Sequence, residues 1–307
     1  MNLLQRRYGT RNIFRCVFAR DQSNLKMATY FGKVLIAQMN ALRVPAGALA
    51  MWGLGQMGVA LKAGTEIIYI DPYLTGAMKT PTSTEFGVRE FPPPVLPEEI
   101  TNAAHVLCSH EHGDHTDAGT LGPIAIASPQ AKFVITGWSH SILDKANIDQ
   151  SRRIVPAALR TLQLGDFKVT ALPSAHYNVE DDKAMGQRWL GFLIEANGVV
   201  FYHSGDTIIY PGYLDMLKTQ PKIDVGMLPV NGRDAYRDSY GWVGNLMPME
   251  AAWLSGQLGW DVLIAGHNDL FIWNTVAAGA LADALRTRNP RQKMHTLQPG
   301  ELYLYVK

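Results

Sequence analysis

The sequence has few cysteines, and this scarcity excludes several kinds of site. Cys16 and Cys108 are the only two among 307 residues. They provide neither a disulfide framework nor a Cys-x-x-Cys metal site, which favours a reducing compartment, and we expect a cytoplasmic protein. Cys108 lies in an apolar run, so we interpret it as a buried thiol and not as a ligand.

The sequence also lacks an excess of either charge and any long apolar run. It has 28 Lys and Arg against 27 Asp and Glu, a net charge of +1. The overall charge therefore does not indicate binding to nucleic acid or to an anionic membrane. No stretch approaches the roughly 20 apolar residues of a membrane span. We expect a small-molecule substrate, no nucleic-acid partner and no membrane span, and a homo-oligomer stays open.

Residues 1–27 form a basic N-terminal extension in which Asp21 is the single acidic residue. The basic residues are Arg6, Arg7, Arg11, Arg15, Arg20 and Lys26. Such a segment is typical of a transit peptide, but a disordered tail or a start at Met27 is the favoured interpretation. Because 47% of the residues are hydrophobic, the remainder can bury a large core, and we predict one domain over residues 28–307.

The strongest functional signal is a run of metal-binding side chains inside residues 109–115. These side chains are His110, His112, Asp114 and His115. Imidazole nitrogen suits zinc, and carboxylate oxygen suits zinc, manganese or magnesium. The run follows residues 104–108, which predict a buried strand, and it precedes Thr116 and Asp117, which can cap a helix. A polar loop rich in histidine by chance is the alternative, and the spacing favours metal binding.

The spacing within this run allows two ions. Positions i and i+2 of an extended loop project to the same side, so His110 and His112 can bind one ion. Asp114 and His115 follow the flexible Gly113 and can turn towards a second ion.

The same pattern recurs later, where ligand-type side chains follow three more predicted strands. His176 follows the strand at 168–172, Asp206 follows a hairpin over 190–203, and His267 follows the strand at 261–265. Asn197-Gly198 is a strong two-residue turn signal inside that hairpin. Each residue alone is weak evidence for a metal site, since a lone His is more often an ordinary core or surface residue. Four strand ends on one edge of a sandwich would bring them together.

Two further segments have competing interpretations. Gly53-x-Gly55-x-x-Gly58 matches a dinucleotide-binding fingerprint, but residues 59–70 read as strand, turn and strand with no helix, so we reject it. Asp71 either orients a ligating His or is a turn residue before Pro72. Residues 76–99 are rich in proline and predict a long loop of the kind that covers substrates.

The remaining periodicity predicts strands and helices in two similar rounds. Strands are predicted at 50–58 with a turn, 66–70, 133–136, 223–228 and 302–306, and helices within 28–48, after the His run, and at 138–146, 248–259 and 275–288. Strand pairs come first in each round and helices follow. We therefore predict an α+β protein with an αββα architecture, in which two mixed sheets pack face to face with helices outside.

These motifs together resemble the metallo-β-lactamase superfamily. Ser109–His115 matches its His-x-His-x-Asp-His signature, and His176, Asp206 and His267 match its later ligand positions in order. The resemblance is closer to the branch of L-ascorbate-6-phosphate lactonases. The segments behind it are AMWGLGQMGVALKAGTEIIYIDPYL, PPPVLPEEI, FYHSGDT, LPVNGRDAYR and GHNDLF. It covers about residues 40–307.

The resemblance implies a cofactor of two divalent metal ions, zinc or manganese. It assigns His110, His112 and His176 to the first ion. It assigns Asp114, His115 and His267 to the second ion, with Asp206 bridging both at the usual spacing of about 3.5–4 Å.

The resemblance also implies a hydrolase. A bound ion lowers the pKa of its water, so that hydroxide attacks a lactone or ester carbonyl near neutral pH. Asp114 then orients the nucleophile and passes a proton to the leaving alkoxide, or it is a ligand only. We expect the substrate to be a small sugar acid, with or without a phosphate. The alternatives are a phosphodiesterase acting on a phospholipid or cyclic nucleotide, and a catalytically silent metal-binding protein.

Substrate-binding candidates follow the strand at 223–228. They are Asn231, Arg233 and Arg237, and an Arg there could bind a phosphate through two hydrogen bonds. The alternative is a solvent-facing loop in which these arginines pair with Asp234 and Asp238. We predict Trp242 and Trp253 to be core residues.

Overall fold

The computed structural model describes residues 32–78 and 87–307. The predicted extension over residues 1–27, with Cys16, lies outside the described residues, as do residues 79–86 of the predicted long loop. In the described part, two seven-stranded sheets pack face to face and helices cover both outer surfaces. The predicted αββα sandwich is therefore confirmed.

The strands and helices are numbered in chain order. The strands are β1 (Ala48–Gly55), β2 (Gly58–Ala63), β3 (Glu66–Ile70), β4 (His105–Leu107), β5 (Lys132–Val134), β6 (Arg153–Ile154), β7 (Thr161–Leu164), β8 (Phe167–Pro173), β9 (Asp181–Asp182), β10 (Gly186–Gln187), β11 (Leu190–Ala196), β12 (Val199–His203), β13 (Val225–Pro229), β14 (Val262–Gly266), β15 (Lys293–His295) and β16 (Leu302–Val306). The helices are α1 (Gly32–Ala41), α2 (Ala118–Ala127), α3 (His140–Lys145), α4 (Tyr213–Lys218), α5 (Ala235–Ser239), α6 (Pro248–Leu258) and α7 (Ala278–Arg288).

The two sheets have matching topologies. The first has the order β16-β1-β2-β3-β4-β5-β6, and the second has the order β15-β14-β13-β12-β11-β8-β7. In each sheet one half is antiparallel and the other half is parallel. Because parallel strands need helical crossovers, the helices fall on the outer faces. The two similar rounds seen in the sequence correspond to these two sheets.

Three apolar layers hold the four structural layers together. Alternate side chains of both sheets meet in the central layer, which includes Met51, Ile68, Phe192 and Ile264. A second layer joins the first sheet to α1, α2 and α3, and a third joins the second sheet to α4, α6 and α7. Strands buried on both faces have continuous apolar runs, which is why β1, β12, β13 and β14 are buried along their whole length.

Local sequence signals explain the turns and ends that matter for the site. Asn197 and Gly198 have φ of 51° and 83°, as a two-residue hairpin turn requires, and they join β11 to β12. Asp117 caps α2, since its carboxylate accepts hydrogen bonds from the backbone N–H groups of Gly119 and Thr120. Both predictions are confirmed. The glycine-rich segment at 53–58 forms the β1–β2 hairpin without a helix, which agrees with our rejection of a dinucleotide site.

Some predictions differ from the structure. The short strands β6, β7, β9, β10 and β15 and the short helices α4 and α5 are additional. Trp253 is 37% exposed on α6 and Trp242 is half-buried, so the prediction that both are core residues is wrong. Cys108 is fully buried, and burial raises the pKa of its thiol, as expected for a structural cysteine.

The described parts of the long loop pack against the rest of the protein. Arg89 is fully buried, and its Nη1 donates hydrogen bonds to the backbone oxygens of Tyr73 and Thr75. The role of this loop as a substrate cover stays a prediction. Within the described residues, the helices are too short or too polar to cross a bilayer.

Candidate metal centre

Four strand ends converge at one edge of the sandwich. The loop after β4 contains His110, His112, Asp114 and His115, and β8, β12 and β14 end just before His176, Asp206 and His267. The potential ligand atoms fall into three groups whose members lie within 4.8 Å of one another. These groups are His110 with His112 and His176, His110 with His115 and Asp206, and Asp114 with His115 and His267. The structure thus brings together all seven side chains that the sequence singled out.

The first group is a ring of three imidazoles held by one indole. The ring centroids of His110, His112 and His176 lie 4.6, 5.0 and 5.6 Å apart. Trp189 packs edge-on against all three, at centroid distances of 5.2 to 5.4 Å. It is 3% exposed, and the guanidinium carbon of Arg188 lies over its ring, 4.4 Å from the centroid. Trp189 therefore limits the orientations available to the three rings.

Asp206 lies between the first group, His110 with His112 and His176, and the group of Asp114 with His115 and His267, which we call the second group from here on. Its Oδ2 is 3.8 Å from His176 Nε2 and 3.2 Å from His267 Nε2, and its Oδ1 is 3.4 Å from His115 Nε2. Asp114 Oδ2 is 3.3 Å from His267 Nε2 and 3.7 Å from His115 Nε2. Asp206 is thus the one carboxylate that faces residues of both groups.

Asp71 orients His115 directly and His110 through the hydroxyl of Ser109. Its Oδ2 accepts hydrogen bonds from His115 Nδ1 at 2.7 Å and from the Ser109 hydroxyl at 2.6 Å. The same hydroxyl lies 2.9 Å from His110 Nδ1. Because the Nδ1 atoms of both rings are used in this way, their Nε2 atoms face the cluster. Of the two interpretations of Asp71, the geometry agrees with the one in which it orients a His.

Unsatisfied polar atoms test whether these residues fit a metal ion. Among the described residues, four buried ligand atoms lack a hydrogen-bond partner. They are His110 Nε2, His115 Nε2, His176 Nδ1 and Asp206 Oδ1. A buried polar atom without a partner is costly, and a cation among these atoms would satisfy them together. The donor set therefore fits divalent metal ions.

The pKa values of the histidines differ between the His110, His112 and His176 group and the Asp114, His115 and His267 group. Burial lowers the pKa of His110 well below its usual value and that of His176 to about 4, so both rings are neutral and ready to coordinate. Burial acts in the same direction on His115 and His267, but the carboxylates of Asp206 and Asp114 outweigh it. They raise the pKa of His115 well above the usual range and that of His267 to about 9. In the metal-free protein these two protonated rings balance the buried carboxylates.

Glycine at position 205 is required by close packing. Gly205 has φ of +58°, and a Cβ there would lie 2.3 Å from the backbone oxygen of Leu190 and 2.8 Å from the Ser109 Cβ. Only glycine fits at this position, so the carboxyl end of β12 can pack against the His-rich loop, residues 109–115. This contact places Asp206 beside His115.

A pocket of about 300 Å³ opens onto the cluster. Its floor contains five of the seven residues, which are His112, Asp114, His176, Asp206 and His267. Its walls include Arg237, Trp242, Val243, Trp273 and Asn274. The cluster is therefore accessible to a small molecule.

Of the three predicted substrate residues, only Arg237 lines this pocket. Its guanidinium donates to Asp234 at 2.6 Å and to Asn274 Oδ1 at 2.5 Å. Arg233 does not line the pocket. It forms a bidentate ion pair with Glu250, with both N–O distances 2.7 Å. Asn231 is buried behind the wall, where its amide donates to Asn274 at 2.8 Å. Asn231 and Arg233 thus have structural contacts outside the pocket lining, and their contact with substrate stays a prediction.

Comparison with known proteins identifies the family. A family model described as a β-lactamase superfamily domain matches residues 67–268, more than half of the chain and including all seven clustered side chains. The chain belongs to the β-lactamase superfamily. A curated relative, the UPF0173 metal-dependent hydrolase of Symbiobacterium thermophilum, is 26% identical over 252 residues, covering 81% of this chain and 97% of the relative.

Solved structures show the same fold. Igni18, a metallo hydrolase from the archaeon Ignicoccus hospitalis, has a TM-score of 0.62 at 18% identity and covers 85% of this chain and 99% of its own. YhfI of Bacillus subtilis, a metallo-β-lactamase fold protein, has a TM-score of 0.59 at 15% identity and covers 84% of this chain and 100% of its own. The chain therefore has the metallo-β-lactamase fold.

Several site residues of this superfamily member were missed from the sequence. Gln56 contacts Asp114 and His267, Trp189 packs on three histidines, and Trp242 and Trp273 line the pocket. The glycines around Gln56 were a visible signal, but they resembled a different motif. The three tryptophans had no signal, because an indole that faces a site and one in the core look alike in sequence.

Proposed function

We propose that this chain is a metal-dependent hydrolase that cleaves a lactone or a related ester. The observation that supports it best is the cluster of seven ligand-type side chains, five of which line an open pocket. Four of the ligand atoms are buried without partners among the described residues. The curated relative from Symbiobacterium thermophilum, a metal-dependent hydrolase that this chain matches over 97% of its length, supports the same reaction class.

The proposed cofactor is a pair of divalent ions. His110, His112 and His176 would hold the first, Asp114, His115 and His267 the second, and Asp206 would contact both. All donors are nitrogen or oxygen, which suits zinc or manganese. When bound, such ions make a coordinated water nucleophilic near neutral pH and polarise the carbonyl oxygen of a substrate.

Asp114 is the residue best placed to move protons. It lines the pocket, and 22% of its side-chain surface is exposed. Burial opposes its ionisation, but His115 and His267 outweigh it and lower the pKa of Asp114 below its usual value. The ionised carboxylate can orient an attacking water and accept its proton for transfer to the leaving alkoxide. In the simpler alternative, Asp114 is a ligand only.

The pocket walls favour a substrate with a flat, apolar part. Trp242 and Trp273 form an aromatic wall with ring centroids 4.6 Å apart. Arg237 is the one arginine among the residues that line the pocket, and its guanidinium is paired with Asp234. Arg233 is paired with Glu250, so away from the proposed ions neither of these two arginines is left unpaired to bind a phosphate. These contacts support an uncharged lactone or ester more strongly than a phosphorylated sugar acid of the L-ascorbate-6-phosphate type.

A second candidate is a phosphodiesterase acting on a phospholipid or a cyclic nucleotide. The shared position of Asp206 favours it, because two ions about 3.5–4 Å apart stabilise both the attacking and the leaving oxygen at phosphorus. A third is a protein that binds metal without catalysis. The complete ligand set and the open pocket favour an enzyme over this third candidate.

A substrate panel on metal-defined protein separates these candidates. The protein is stripped of metal, reloaded with zinc or manganese, and assayed on dihydrocoumarin, glucono-1,5-lactone, p-nitrophenyl acetate and bis-p-nitrophenyl phosphate, with Asp206→Ala as the control. We expect metal-dependent turnover of dihydrocoumarin, a weaker reaction on the polar lactone, and neither in Asp206→Ala. Faster cleavage of the phosphodiester would support the second candidate. Turnover that survives metal removal, or none at all, would contradict the proposal.

A further inference from the structure

The glycine-rich segment at 53–58 has a function that a dinucleotide fingerprint does not explain. It forms the tight β1–β2 turn, and Gln56 lies at its tip with φ of +58°. A left-handed backbone is costly for a residue other than glycine. Such positions persist where the surrounding contacts determine them. Gln56 is also 3% exposed, which is unusual for an amide at the tip of a hairpin.

The glycines press this turn against its neighbours. A Cβ at Gly53 would lie 2.6 Å from the backbone oxygen of Gln298, and one at Gly55 would lie 2.8 Å from the ring of Phe91. Side chains at these positions would lift the hairpin away from the body of the protein. The glycines therefore allow Gln56 to reach the metal centre.

Three hydrogen bonds connect Gln56 to the site. Its backbone N–H donates to Asp269 Oδ1 at 3.0 Å, and its backbone oxygen accepts from the N–H of His267 at 2.8 Å. Its side-chain Nε2 donates to Asp114 Oδ2 at 2.7 Å and lies 3.1 Å from His267 Nε2. The turn belongs to the first sheet and His267 follows a strand of the second, so Gln56 links the two sheets at the cluster.

These contacts are selective. Asp114 and His267 both belong to the group assigned to the second ion, and the hydrogen bonds of the Gln56 side chain join no member of the His110, His112 and His176 group. The first group has its own support in Trp189. Asp71 and Ser109 support a histidine of each group, but Gln56 and Trp189 each support one group only.

We propose that Gln56 is a positioning residue of the second metal site, whose carboxamide holds Asp114 and His267 at a separation that suits one ion. This inference rests on the proposed function, since it needs a binuclear centre. Groups that orient metal ligands in this way typically contribute about 10–100-fold to metal affinity. Gln56 thereby sets how tightly the second ion is held relative to the first.

The test is a titration of metal-free protein with Zn²⁺ that resolves the two binding steps by competition with a chromophoric chelator. Gln56→Met keeps the length of the side chain and removes its hydrogen bonds. Gln163→Met, on the exposed face of β7, is the matched control. We expect the second step to weaken by about 10–100-fold in Gln56→Met while the first changes little. The control should match the wild type.

The same titration shows what would overturn the inference. Equal weakening of both steps would mean that Gln56 supports the fold in general, and no weakening would mean that it has no positioning role. A wild-type protein that binds one ion only would also overturn it. The hydrolase proposal is judged separately, because it depends on turnover in the substrate panel and not on the two-step binding curve.

Discussion

At the scale of single residues, Asp71 shows how one buried carboxylate can determine the chemistry of a distant loop. It occupies a left-handed backbone position with φ of 45°, and it accepts hydrogen bonds from Ser109 N, Ser109 Oγ and His115 Nδ1. These bonds orient the His115 ring so that its Nε2 faces Asp206. The loop and its ligands are thus oriented by a residue 38 positions before Ser109.

Removing this carboxylate tests its role. We expect Asp71→Ala to weaken zinc binding by about 10–100-fold, because His115 loses the partner that fixes its ring. Asp283→Ala is the control, since the Asp283 side chain is 77% exposed and pairs only with Arg286. Isothermal titration of both metal-free variants measures the effect. Equal affinities in the two variants would argue against an orienting role for Asp71.

Metal binding should release protons. In the metal-free protein the carboxylates of Asp206 and Asp114 overcome burial and raise the pKa of His267 to about 9, so this ring is protonated at pH 7. A ligating imidazole must be neutral, so binding expels the proton, and affinity should rise between pH 6 and 9 by up to about tenfold per pH unit for each protonated ring that becomes a ligand. His110 and His176 have lowered pKa values and contribute no proton at pH 7.

The measurement is titration calorimetry of zinc binding at pH 7 in two buffers with different ionisation enthalpies. The observed heats should differ by an amount that corresponds to at least one released proton. Identical heats in both buffers would show that His267 and His115 are already neutral before the metal binds.

The sequence motifs predicted the ligand-type residues but not their supports. His-x-His-x-Asp-His and the strand ends at 176, 206 and 267 named all seven side chains of the cluster, because metal chemistry restricts the residue types that can serve. Gln56 and Trp189 could not be predicted. Their roles depend on contacts between segments far apart in the chain, and neither residue type is restricted to such a role.

At the scale of elements, strained turns concentrate at the metal centre. Six non-glycine residues in the described part have positive φ, and three of them, Gln56, Asp71 and His267, belong to the cluster or contact it. Each costs about 1–3 kcal/mol, which the surrounding packing must offset. The strand ends are therefore held in place by the sheets behind them.

The β1–β2 turn gives a stability test of this packing. Gly47 has φ of +75° with open space around it, whereas Gly55 has φ of +90° and faces Phe91. We expect Gly47→Ala to lower the free energy of unfolding by about 1–2 kcal/mol, from backbone strain alone. Gly55→Ala should cost about 1–3 kcal/mol more, because the new methyl group meets the Phe91 ring. Chemical denaturation measures the free energy of unfolding of both variants. Equal losses of this free energy would mean that the β1–β2 turn can shift away from Phe91 at little cost.

Element prediction succeeded where the local signal was complete. Residues 66–70 and the 190–203 hairpin were predicted with the bounds that the structure has, because apolar runs and the Asn-Gly turn both mark them. The two-residue strands β6, β9 and β10 have no such signal, and their pairing is decided by neighbours in the sheet. The short helices α4 and α5 are likewise stabilised by what they pack against.

At the scale of the whole molecule, two sheets of matching topology share one apolar core, and each contributes ligands to a single cluster. The first sheet brings the His-rich loop with Asp71 and Gln56, and the second brings His176, Asp206 and His267. Because every ligand group joins loops from different strands, metal binding should depend on the assembled sandwich. We propose that residues 28–307 act as one domain for this reason.

The most direct test of the central claim is anomalous X-ray diffraction at the zinc absorption edge from crystals of zinc-loaded protein. We expect two peaks about 3.5–4 Å apart. One should lie among His110, His112 and His176, the other among Asp114, His115 and His267, with Asp206 in contact with both. An absence of anomalous density among these seven side chains, or zinc bound only elsewhere on the protein, would contradict the account.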